Sequence, residues 1–85
     1  MQNVIKALQA QNNVNAIAIV NALQNMSEHD LDVVADYNVN FDKQCAIVNS
    51  YARLTVSDYC IALDLLIEEA GVMELNELAY KIIED

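Results

Sequence analysis

The chain contains no proline and a single glycine, Gly71, in 85 residues. Hairpins and tight loops draw on those two residues for their backbone angles, so a sequence nearly without them has little means of reversing strands. No stretch sustains the period-two alternation of a half-buried strand either. The breaks in the apolar pattern fall instead on Asn, Ser and Thr, whose side-chain oxygens accept from the free backbone amides at helix starts. The expected fold is therefore all-α: a compact bundle of five or six short helices, one domain over residues 1–85. Helices joined by two to four residues, with no apolar heptad lasting three repeats, favour an orthogonal arrangement over a coiled one. At 9.5 kDa, folding buries roughly 63% of the unfolded chain's surface, enough for one modest core.

The pattern predicts a first helix over residues 2–11, with Val4, Ile5 and Leu8 inward. A second, over residues 13–26, is apolar around most of its circumference, with Asn21, Gln24 and Asn25 as its polar stripe. Such a helix is either central or covered by an oligomer partner. Ser27, followed by acids, opens a third helix with Leu31, Val34 and Ala35 inward. Residues 36–40 form a loop in which Asn38 or Asn40 caps a fourth helix, running to about residue 54 on a core stripe of Phe41, Cys45, Val48 and Ala52. Thr55 opens a fifth helix, with Cys60, Leu63, Leu66 and Ile67 inward, and Gly71 closes it in the left-handed conformation. A last helix over residues 73–84 turns Leu75, Leu78, Ala79 and Ile82 inward and carries the i,i+4 pair Glu77 and Lys81.

The residue types that carry chemistry are sparse. A metal centre is not expected, because His29 is the only histidine and stands in a polar helix start. The alternating oxygens of Asp36, Asn38, Asn40 and Asp42 imitate a calcium loop, but Phe41 stands where that loop needs glycine and Ile47 where it needs a bidentate Glu. Cys45 and Cys60 lie in apolar surroundings and read as free, buried small hydrophobes rather than nucleophiles. No phosphate-cradling glycine loop exists, and Ser27 and Ser57 are better explained by helix starts. Acyl carrier proteins share this size and acidity, but their prosthetic-group serine lies in an Asp-Ser-Leu motif, and no serine here is followed by leucine. The expectation is a protein with no catalytic residues, no cofactor and no enzymatic activity. The first residues lack the basic-then-apolar order of a secretion signal, and the most apolar run, residues 14–23, is about half a bilayer span. A cytoplasmic protein with no membrane contact is expected.

Charge is the informative property. Residues 1–27 contain Lys6 and no acid, whereas residues 28–85 hold all 13 acids against three basic residues, leaving −10 there. With four cations in total, direct binding of nucleic acid through a phosphate-tracking surface is excluded. The expected partner is another protein with a basic surface, met by Asp58, Asp64, Glu68, Glu69, Glu74 and Glu77 on the outward faces of the last two helices. Small size, acidity and lack of catalytic motifs resemble the phage- or plasmid-encoded inhibitors of nucleic-acid enzymes, anti-CRISPR and anti-restriction proteins among them. The alternative is a structural homo-oligomer, most simply a dimer through Val14, Ile17, Val20 and Leu23, with the acidic face serving only solubility.

Overall fold

The computed structural model describes residues 10, 12–71 and 74–84, the side chains of residues 69 and 70 excepted. Among these residues the fold is all-α, with helices α1 (Val14–Asn25), α2 (Glu28–Ala35), α3 (Phe41–Ala52), α4 (Val56–Ala70) and α5 (Leu75–Glu84). The helix expected over residues 2–11 lies outside the described residues, apart from residue 10. The starts of α1 to α4 follow one device. Asn13, Ser27, Asn40 and Thr55 each accept, through the side-chain oxygen, from the backbone N–H three residues on, at 2.8, 3.2, 2.8 and 3.2 Å. Each such cap satisfies an amide that the helix itself leaves free and contributes about 1 kcal/mol. Of the two asparagines expected to open α3, Asn40 is the one that does so.

Helix ends are closed by other means. Arg53, at φ +57°, ends α3 in the left-handed region, and Gly71, at φ +68°, ends α4. The last carbonyls of α2 are met from another helix: Gln44 Nε2, on α3, donates to the carbonyl oxygens of Val34 and Asp36 at 2.9 and 3.0 Å. That bond explains a glutamine only 5% exposed in an otherwise apolar interior. Tyr51 ties the same two helices at the opposite end of α2, its hydroxyl donating to Asp30 Oδ2 at 2.6 Å and accepting from Ser27 N–H at 3.4 Å.

The packing forms two groups around one axis. Helix α1 is central, flanked by α3 and α4 and touched by α5, while α2 lies chiefly on α5 and also against α3. Most of the apolar surface of α1 is thus taken inside the monomer, with Ala16, Ile19, Val20, Ala22 and Leu23 buried and Val14 left exposed. Two expected core stripes hold in part, with Leu63 and Leu66 on α4 and Cys45 and Val48 on α3 buried and Ala52 packed against the core. On α4 the buried residues are Tyr59, Ala62, Leu63 and Leu66, leaving Cys60 half-buried and Ile67 exposed. On α3, Phe41 is 44% exposed, because Tyr59 fills the interior and the Phe41 ring leans on it from outside, with centroids 6.0 Å apart and planes at 59°.

The Gly71 cap and the Gln44 bridge yield separate expectations in urea denaturation. No atom lies within 4 Å of where a Gly71 β-carbon would stand, so Gly71→Ala is expected to cost about 1 kcal/mol through backbone strain alone, and Gly71→Asn less. Gln44→Leu leaves the Val34 and Asp36 carbonyls without that donor, for an expected loss of about 1–3 kcal/mol.

Candidate protein-interaction site

The six carboxylates expected to face a partner are placed unevenly. Asp64 and Glu68 are exposed one turn apart on the outer face of α4, and Ile61, one turn before Asp64, is 56% exposed on that face. Asp58 serves the cap, its Oδ2 accepting from the Thr55 hydroxyl at 2.7 Å. The side chain of Glu69 lies outside the described residues. Glu74 is exposed immediately before α5, and half-buried Glu77 faces Lys81 Nζ at 3.8 Å, a partly exposed pair contributing a few tenths of a kcal/mol. Because α5 packs on α2 rather than alongside α4, the acids form two groups, one on α4 and one at the start of α5.

The apolar residues expected at a self-association face are divided as well. Val14 is 77% exposed and Ile17 is partly buried against the core, but Val20 and Leu23 are core residues. The packing of α1 against α3 and α4 takes these two side chains inside the folded monomer. Of the tyrosines, Tyr37 and Tyr80 stand exposed, Tyr51 has its hydroxyl committed to α2, and Tyr59 is fully buried.

A cleft of about 320 Å³ opens between the loop at residues 36–40 and the start of α5. Sequence reasoning did not find it, although the aromatic residues flanking the loop were a usable signal. Its floor is Leu63 and Leu75 with the side-chain amides of Gln44 and Asn76, all four buried. Its lip carries Tyr37, Val39, Phe41 and Glu74. The loop supporting Tyr37 is held by its own hydrogen bonds: Asp36 Oδ1 accepts from Asn38 N–H at 2.9 Å, and the Asp36 carbonyl accepts from Val39 N–H at 3.2 Å. On the far side, the Glu74 carbonyl accepts the first helical bond of α5, from Leu78 N–H at 3.1 Å.

Beneath Phe41 the interior holds a small polar island. The Tyr59 hydroxyl is sealed from solvent without a conventional hydrogen bond, and the polar groups acting on it are the thiols of Cys45 and Cys60. Both cysteines are free. Burial, reinforced by the proximity of Cys60 and Asp42, pushes the Cys45 thiol up to about 11, and burial likewise raises the Tyr59 phenol. The thiol is thus a protonated interior group. Among the described residues, no three His, Cys, Asp or Glu side chains converge as a metal site would require, and His29 is exposed on the first turn of α2.

Set against protein-family models, curated proteins and solved structures, the chain matches none.

The Cys45–Tyr59 island fixes an alkaline limit. A thiol that ionises near 9.0 when unfolded and near 11 when folded favours the folded state fully below pH 9, and that contribution is lost as pH rises toward 11. Unfolding free energy measured against pH is expected to fall over this window, less steeply in a Tyr59→Phe, Cys45→Ala double variant.

Proposed function

We propose that the protein is a non-enzymatic protein-binding module, an inhibitor or accessory subunit that occupies the basic, nucleic-acid-binding surface of a partner protein in place of the polynucleotide. The observation that carries this reading is the outer face of α4. There Asp64 and Glu68 stand exposed without an ion pair to Lys43 or Arg53, beside the exposed apolar side chain of Ile61. An apolar centre with a charged rim is the usual anatomy of a protein interface, and the surplus of carboxylates steers a cationic partner onto it. The mechanism is competition: carboxylates pair with the Lys and Arg that would otherwise contact phosphates, and Ile61 supplies a desolvated contact. The setting is the cytoplasm, and the biological type is the phage- or plasmid-encoded anti-defence protein, anti-CRISPR or anti-restriction. The alternative homodimer through Val14, Ile17, Val20 and Leu23 finds two of those four side chains already buried in the monomer.

The test is capture from extract of the native host at low and high salt, with wild-type protein and with D64K/E68K. The expected partner is a nucleic-acid-binding protein captured at low salt, whose nucleic acid this protein displaces. Charge reversal is expected to slow association about tenfold or more while changing stability by less than about 0.5 kcal/mol. Equal capture by the reversed variant, or capture without displacement, overturns the mechanism.

A further inference from the structure

The cleft beside Glu74 has a chemistry of its own. Gln44 Nε2 has both its hydrogens committed to the carbonyls that end α2, which fixes the orientation of the amide and leaves Oε1 without a hydrogen-bond partner among the described residues. Asn76 is 5% exposed, borders the same cleft and makes no side-chain hydrogen bond among the described residues. Unlike Asn49 Oδ1 and the Tyr59 hydroxyl, its amide is not sealed off from solvent. Two amides buried at one cavity that keep hydrogen-bonding capacity toward it make a polar floor, which water completes when the cleft is open and a ligand with matching groups can complete in its place. The rim adds the Glu74 carboxylate and the rings of Tyr37 and Phe41, and among the described residues no basic side chain lines the cavity.

Acceptor oxygens, π faces and one carboxylate are the complement of a flat, donor-rich cation. We infer that the cleft receives one arginine side chain of the basic partner: the guanidinium donates to Glu74 and to the amide oxygens of Gln44 and Asn76 and lies against Tyr37 and Phe41. The inference rests on the proposed function and adds to it the residue type that the partner inserts. Other occupants fit less well. An apolar side chain leaves the floor amides unsatisfied. An anion meets Glu74 within a region carrying −10, from 13 acids and three basic residues. A lysine ammonium is a compact point charge that neither stacks on the rings nor reaches several acceptors in one plane. The volume, about 320 Å³, is ample for one arginine side chain.

The experiment titrates the isotope-labelled full chain with acetyl-Gly-Arg-Gly-amide, its lysine counterpart and its uncharged citrulline isostere, following the side-chain amide resonances of Gln44 and Asn76 by NMR. The arginine peptide is expected to shift both resonances saturably, with about fivefold weaker binding for the lysine peptide and for the Glu74→Gln and Tyr37→Ala chains, and no saturation with citrulline. Glu74 and Tyr37 are both exposed, so these variants are expected to keep the fold, which their circular dichroism verifies. Equal response to citrulline, indifference to Glu74→Gln, or shifts confined to Asp64 and Glu68 overturns the assignment. The two proposals separate cleanly. Partner capture lost in D64K/E68K but retained in Glu74→Gln and Tyr37→Ala refutes the cleft and keeps the acidic face, whereas specific arginine binding without a captured nucleic-acid-binding partner refutes the function and keeps the cleft.

Discussion

Four side-chain oxygens, on Asn13, Ser27, Asn40 and Thr55, decide where four of the five described helices begin. In a chain with one glycine and no proline, backbone conformation alone cannot divide a largely apolar sequence into segments. Caps do so by making a specific interruption more favourable than one more helical turn. Everything else is arranged around those interruptions. The Ser27 cap and Tyr51 fix the start of α2, Gln44 takes its end, and the short α2 is thereby held across α3 and α5 while α1 disappears into the middle of the bundle.

The acidity has two uses in this arrangement. Some carboxylates belong to the helices themselves: Asp58 to the Thr55 cap, Asp30 to the Tyr51 clamp, Asp36 to the loop turn, and Glu28 and Asp42 to first turns, where negative charge complements the helix dipole. Asp64, Glu68 and Glu74, like Asp32 and Glu84, have no such task among the described residues. The surplus is therefore smaller than the net charge suggests, and, exposed Asp32 and Glu84 apart, it stands in two places with different chemistry. On α4 the acids border an exposed isoleucine; at the start of α5 one acid borders an aromatic-lipped cavity with amides in its floor.

The helical class, the caps at Ser27 and Thr55 and the Gly71 stop were legible in the sequence because each depends on residues within a few positions. The buried face of α4 was not. Cys60, Leu63, Leu66 and Ile67 make one apolar stripe and Tyr59, Ala62, Leu63 and Leu66 another; they share the two leucines, and the packing against α1 and α3 selects the second. Phe41 was misplaced for the same reason, since the tyrosine beneath it competes for one interior position. The same holds for α1: its broad apolar surface is compatible with a central helix or an oligomer interface, and contacts distant in sequence bury Ala16, Ile19, Val20, Ala22 and Leu23 while leaving Val14 exposed. The aromatic lip of the cleft left a trace in the sequence but its floor did not, because Gln44 and Asn76 are ordinary polar residues until tertiary packing buries them there.

Each of the four caps spans three residues of sequence. The division of the chain into segments therefore needs no tertiary structure to be in place first. As the polypeptide is synthesised, each of these boundaries is specified once its own cap and the following turn have emerged, and docking around α1 then stabilises helices too short to persist alone. Topologies of this local kind fold on the microsecond to millisecond scale. The scarcity of glycine and proline thus narrows the search as well as the choice of fold, with few flexible joints to wander and no prolyl bond to wait for.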